Sequence, residues 1–215
     1  MAWNGLSRRV LQLYIGLLLY GLSGALLVRS GLGLDPWDVF HQGLSKHLGI
    51  AIGTVSILVG AAVLLGWAPL RQRPGFGTVS NVVLVGTSLN VSLMWLPQVE
   101  LMRWRVTDML AGVLLCGVAT GMYIGANLGP GPRDGLMTGL ARRTGLSIRL
   151  TRTSLEVTVL LAGWLLGGTV GIGTVVYALA IGPLAQVFMP LLHVDTRPAS
   201  PVLDTAAGHE STALT

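Results

Sequence analysis

Apolar residues fall into six long blocks, at about 10–29, 50–70, 77–97, 106–126, 151–169 and 172–192. Each runs for about 20 residues, enough at ~1.5 Å per residue to cross ~30 Å of hydrocarbon. None alternates polar and apolar positions, which excludes a membrane β-barrel. A backbone in lipid must satisfy its own hydrogen bonds, so each block is predicted to be a helix. The polar stretches between them sit where turns and interfacial segments belong. Arg8 and Arg9 precede the first block, as in a signal peptide, but the block is long for one and lacks a small-x-small cleavage site. It is expected to remain as a membrane span.

Composition agrees with this pattern. Hydrophobic types are 52% of the chain and charged types 11%, too few charges for a soluble surface. Mean hydropathy is +0.69. A soluble enzyme, a disulfide-stapled domain and a disordered regulator are excluded. The net charge is +5, but no basic run or aromatic–basic interleaving makes a phosphate-tracking stripe, so no nucleic-acid partner is expected. Cys116 is the single cysteine and founds neither a disulfide framework nor a thiolate metal site.

Six spans place both termini on one side. With the N-terminus inside, ten basic residues are internal: Arg8, Arg9, Arg71, Arg73, Arg133, Arg142, Arg143, Arg149, Arg152 and Arg197. Four are external: Arg29, Lys46, Arg103 and Arg105. The asymmetry predicts cytoplasmic N- and C-termini. The polar, Pro-containing segment 193–215 is expected to be a disordered cytoplasmic tail.

The chain also repeats itself at an offset of 96. Arg9, Gly16, Gly21, Gly33, Pro36, Asp38, Gly43 and Gly49 fall on Arg105, Gly112, Gly117, Gly129, Pro132, Asp134, Gly139 and Gly145. Gly75, Gly77, Thr78, Val79 and Gly86 fall on Gly171, Gly173, Thr174, Val175 and Gly182. The register holds without a gap, so a duplication is inferred. Three spans per copy make the second copy enter the membrane from the opposite side. The expected fold is therefore an all-α polytopic membrane protein of six transmembrane helices, built as two inverted three-helix repeats over 1–97 and 98–192. Inverted repeats recur in secondary transporters, with the solute site where the halves meet.

Each repeat carries a hairpin, residues 31–50 and 127–146, too long for a turn and too polar to span. Pro36 and Pro132 suit a first helical position. Asp35 is then an N-cap, and Asp38 and Asp134 face the free N–H groups of the first turn. A short amphipathic or re-entrant helix of about ten residues is predicted in each, ending near Gly49 and Gly145. Asp38 and Asp134 are read either as helix caps or as carboxylates lining a polar cavity, where they would bind a cation or carry a proton. His41, one turn after Asp38, could share that proton; Met137 replaces it in the second copy. Arg133 joins this candidate set. The GxGT motifs at 75–78 and 171–174 open spans three and six, with Thr78 and Thr174 as caps.

Glu156 stands inside span five, one turn after Arg152, as a structural ion pair or a substrate or proton site. Asn81, Asn90, Tyr177 and Gln186 are either interhelical hydrogen-bonding groups or cavity lining. Trp3, Trp67, Trp95, Trp104 and Trp164 sit near span ends and are expected to be interface anchors, whereas Trp37 lies within the hairpin. No nucleotide-binding loop, nucleophile elbow or paired catalytic carboxylates are present, and no metal, cofactor or enzymatic activity is expected.

The GLGLDPWD hairpin, its twin NLGPGPRDGLMTGLARRTG, the RTSLEVTVLLAGWLLGG span and GIGTVVYALAIGPL resemble the YczE/YyaS/YitT family of bacterial integral membrane proteins over residues 8–190, nearest its YczE-like branch. The resemblance implies a bacterial plasma-membrane protein, and some members are treated as transporters. The expected function is a small secondary transporter of an unidentified small solute, with a homodimer or membrane partner open. The alternative is a non-transporting accessory or regulatory protein for a partner system.

Overall fold

Long apolar blocks punctuated by glycine and proline fold here into eight helices in a computed structural model that describes residues 2–194. They are α1 (Ala2–Ser30), α2 (Pro36–Leu48), α3 (Ile52–Trp67), α4 (Phe76–Trp95), α5 (Met102–Gly125), α6 (Pro132–Thr144), α7 (Ile148–Leu165) and α8 (Ile172–Leu191). The described residues contain no strand. The chain is an α-helical membrane protein. Four helices, α1, α4, α5 and α8, are long and apolar enough to cross a bilayer. A fifth span arises if α2 and α3, bent by 112° at a short break, count as one. α3 has only 16 residues, because the chain turns at Ala68 and Arg71 takes a left-handed conformation. α7 carries Arg149, Arg152 and Glu156, which lower its apolarity. The segment expected as a tail lies outside the described residues from 195 onward, as does Arg197.

α1 and α5 form the antiparallel centre, α4 packs on α1, and α8 packs on α5. Small residues let these helices approach closely. Gly16 lies against Ala119 and Tyr123, and Gly112 lies against Ser23 and Leu27. The contact partners are again 96 residues apart in exchanged roles. The helix ends follow the same rule. The Arg9 guanidinium donates to the carbonyls of Ala126 and Asn127 at the end of α5. The Arg105 guanidinium donates to those of Ser30 and Gly31 at the end of α1. In each case a cation satisfies carbonyls that a helix terminus leaves without partners.

The hairpin helices are 13 residues each, starting at Pro36 and Pro132 and closed by left-handed Gly49 and Gly145. Both exceed the ten residues expected, and both end where the glycines predicted. Each hairpin docks on the GxGT motif of the other half. Gly77 N–H donates to Leu128 O at 2.9 Å, and Gly173 N–H donates to Leu32 O at 2.8 Å. Gly33 and Gly129, at φ +123° and +127°, sit against Thr174 and Thr78. A side chain would be excluded there both by the backbone angle and by the space. The N-caps are Gly75 and Gly171 rather than the threonines; Thr78 and Thr174, at the third helical position, accept the N–H groups of those glycines at 3.2 and 3.3 Å.

Of the tryptophans, Trp95, Trp104 and Trp164 are exposed at helix ends, as membrane anchors are. Trp67 is not an anchor. It is 1% exposed, packs on Gly135, and donates its indole N–H to Pro132 O at 3.1 Å. The missing side chain at Gly135 makes the slot that takes the ring. The position 96 residues after Trp67 is Gly163, which lies against the backbone of Phe40.

Candidate functional site

The two hairpins bring their helix N-termini together in the interior. Asp35 caps α2: one carboxylate oxygen accepts the N–H groups of Trp37 and Asp38 at 3.0 and 3.2 Å. That leaves Asp38 free of the capping task expected of it. Asp38 instead meets His41 Nδ1 at 3.0 Å, the pairing predicted from their spacing on one helical face. Both are buried.

Arg133, second residue of α6, reaches across to this group. Its guanidinium lies 3.4 Å from Asp35 Oδ1 and 3.8 Å from Asp38 Oδ1, and 5.0 Å above the centre of the Trp37 ring. Trp37 and Arg133 are themselves 96 residues apart, so equivalent positions of the two hairpins stack on one another. One guanidinium thus serves two buried carboxylates. Such sharing leaves the cluster short of positive charge, and in a water-poor interior that shortage is costly.

On the α6 side, Asp134 Oδ2 accepts the Tyr123 hydroxyl at 2.9 Å. The N-cap of α6 is Gly131, which has no side chain to cap with. Asp134 is therefore tied to α5, and the cap reading fails for it as it does for Asp38. Tyr20 stacks edge-on against Tyr123, with ring centres 5.9 Å apart. The Tyr177 hydroxyl lies 3.6 Å from Cys116 Sγ.

Most of these groups, but not Asp38 or Cys116, line a cavity of about 320 Å³. Residues of all eight helices line it. Of the candidates read from the sequence, His41, Asn81, Arg133, Asp134, Arg152, Glu156, Tyr177 and Gln186 form its wall. Arg152 Nε meets Glu156 Oε1 at 2.9 Å on the α7 side, as the i,i+4 spacing implied. Asp38, 3.8 Å from the Arg133 guanidinium, is not part of the lining. Asn90 is not brought to the cavity at all. Its amide oxygen accepts Gly53 N–H at 2.8 Å and its nitrogen donates to Thr54 Oγ1 at 3.2 Å, joining α4 to α3. This is the interhelical role rather than the lining one.

Sequence reasoning missed Asp35, Trp37, Tyr20 and Tyr123 as wall residues. Asp35 was explained as a cap, which hid its free edge toward Arg133. Trp37 had a signal: as repeat mate of the candidate Arg133, it was due to meet Arg133 if the two hairpins face one another. The tyrosines lie inside apolar helices and gave none. Among the described residues, no group of three His, Cys, Asp or Glu side chains could hold a metal ion.

Comparison with known proteins gives relatives without an assigned activity. A family of unknown function, DUF6198, matches residues 7–190. An uncharacterized protein of Haemophilus influenzae is 40% identical over 190 residues, covering 88% of this chain and 87% of its own. The uncharacterized membrane protein YczE of Bacillus subtilis is 33% identical over 180 residues, 82% of this chain and 83% of its own. The uncharacterized protein YyaS of the same organism is 26% identical over 182 residues, 83% and 90%. No solved structure matches the chain.

Proposed function

The chain belongs to the family of unknown function DUF6198, with YczE and YyaS among its relatives, and from that premise we propose that it is a small secondary transporter. It moves a small solute by alternating access between two inverted three-helix repeats, residues 1–97 and 98–192. In this reading α3 and α7 complete six crossings despite their short or charged sequences, and both termini face the cytoplasm of a bacterial cell. The exchanged contacts of Arg9 and Arg105, and of the two hairpins with the two GxGT motifs, support the inverted relation. So do the start positions of α2 and α6, of α3 and α7, and of α4 and α8, each pair 96 residues apart.

One observation carries the proposal. A cavity lies where the halves meet, with the charged N-termini of both hairpin helices on its wall. Ionisable groups are expensive at such a depth and persist where a solute or ion passes. Asp35, Asp134 and Glu156 are the acidic contact groups, Arg133 and Arg152 the basic ones, and Asn81, Tyr177 and Gln186 the neutral ones.

The test is flux. The purified chain is reconstituted in liposomes and challenged with radiolabelled amines, carboxylates and sugars, with and without a pH gradient. Saturable uptake of at least one solute is expected, abolished by Asp134→Asn and by Arg133→Gln in variants that still elute as folded protein. Absence of uptake from wild type, together with stoichiometric co-purification of a membrane partner, would replace transport with an accessory role.

A further inference from the structure

The two halves of the molecule do not close alike. α3 lies along α4, with Gly53 and Gly86 so near that a Cβ on either would collide with the other's carbonyl oxygen. Ninety-six residues on, those positions are Arg149 and Gly182. A built Cβ on Gly182 meets no atom within 4 Å, and α7 stands apart from α8. The cavity reaches into the space between them: Arg152 and Glu156 of α7 and Gln186 and Met189 of α8 all line it. The exposed residues of those two helices include apolar Val157, Leu161, Val175 and Leu179, with polar Arg149, Thr153, Ser154 and Thr158 on α7. Large apolar side chains are thus exposed on both helices beside this part of the cavity.

Inside, the wall carries three carboxyls, Asp35, Asp134 and Glu156, against two guanidiniums, Arg133 and Arg152. A fourth carboxyl, Asp38, outside the lining, also lies 3.8 Å from the Arg133 guanidinium. The other titratable groups facing the cavity are His41, Tyr20, Tyr123 and Tyr177, none of which adds a fixed positive charge. Trp37 already holds one cation over its face, the Arg133 guanidinium, so the ring has the setting of a cation seat. Trp37 is 6% exposed, and its buried indole N–H has no hydrogen-bond partner. A buried donor without an acceptor is costly, and an acceptor on a bound molecule would satisfy it.

We infer that the cavity takes a small amphiphilic organic cation, an ammonium bearing a hydrogen-bond acceptor beside the charge, admitted from the bilayer between α7 and α8. The ammonium takes the place of Arg133 among the carboxylates and over the Trp37 ring, the acceptor meets the indole N–H, and the apolar remainder lies along the α7–α8 gap. The inference rests on the same cavity as the transport reading, but it concerns occupancy and not flux.

The test is equilibrium binding to the full-length chain in lipid nanodiscs, read by calorimetry. The probes are benzyl(2-hydroxyethyl)dimethylammonium, benzyltrimethylammonium, which lacks the acceptor, and benzenesulfonate. The hydroxyethyl ammonium is expected to bind saturably, the trimethyl analogue more weakly, and the sulfonate not at all. Glu156→Gln and Asp35→Asn are each expected to weaken the ammonium by about tenfold or more. Arg133→Gln is expected to tighten it, because the internal competitor is removed; a merely structural cluster would not respond so. Gly182→Leu, which puts a side chain into the gap that the apolar remainder would occupy, is expected to weaken the ammonium. Absence of saturable ammonium binding to wild type overturns the inference, and so does tighter binding of the sulfonate. The wild-type comparison decides even where a variant fails to fold. Binding without flux would sink the transport reading alone, and flux of anions without ammonium binding would sink this one alone.

Discussion

Gly86 and Gly182 occupy the same register in α4 and α8, yet alanine should affect them in opposite directions. In a helix interior Gly→Ala gains up to ~1 kcal/mol from propensity alone, and that gain is common to both sites. At Gly182 nothing lies within 4 Å of the new methyl, so the gain stands undiminished. At Gly86 the methyl runs into the Gly53 carbonyl and comes within 2.6 Å of Ile57 Cγ1. α3 and α4 must separate, an overpacking cost of ~1–3 kcal/mol. Separation also stretches the Asn90 bond to Gly53 N–H, now 2.8 Å, and an interhelical bond of this kind contributes ~0.6 kcal/mol. The two variants should therefore differ by about 2–4 kcal/mol, or roughly 5–15 °C in Tm for a chain of this size. Thermal unfolding of both in one detergent, followed by circular dichroism, measures the difference. Equal Tm values, or a Gly182→Ala variant less stable than Gly86→Ala, would refute the unequal packing of the halves.

Other substitutions test the remaining contacts. Trp67→Phe should cost ~1 kcal/mol, because Pro132 O loses its 3.1 Å donor, whereas Trp67→Ala should cost ~3–5 kcal/mol; chemical unfolding in mixed micelles reads both. Arg9→Gln and Arg105→Gln remove matching caps from α5 and α1 and should destabilise alike, by ~1.5–3 kcal/mol each; a neutral effect of either would show that its cap is idle. A double-mutant cycle of Tyr123→Phe with Asp134→Asn should return a coupling above ~0.5 kcal/mol, reflecting their 2.9 Å bond. Additive effects would detach Asp134 from α5.

Much of this architecture was legible because it rests on local rules. Pro36 and Pro132 mark helix starts, Gly49 and Gly145 mark their ends, and Asp35 caps because its side chain reaches the next two N–H groups. The His41–Asp38 and Arg152–Glu156 pairs follow from helical spacing. What failed depended on distant chain. Trp67 looks like any span-end tryptophan until Gly135, 68 positions away, is seen to open a slot for it. For Asp38 and Asp134 the local sequence leaves cap and cavity readings side by side, because their tertiary partners, Arg133 and Tyr123, are not visible in it. Asn90 and Gln186 are repeat mates, yet one joins α4 to α3 and the other lines the cavity. The reason is that α3 packs on α4 where α7 leaves α8 uncovered. The period revealed which positions correspond, but not that Arg149 in place of Gly53 would make the corresponding helices pack differently.

The relation between the halves can be read directly by cysteine accessibility. Lys46 and Arg142 are mates at the 96-residue offset, both exposed near the ends of α2 and α6. Lys46→Cys and Arg142→Cys, each in a Cys116→Ala background, are labelled with a membrane-impermeant maleimide in right-side-out and inverted vesicles. Two oppositely inserted repeats require Lys46→Cys to react only from outside and Arg142→Cys only from inside. Labelling of both from one face would contradict the inverted arrangement, and with it the cavity as a path across the membrane.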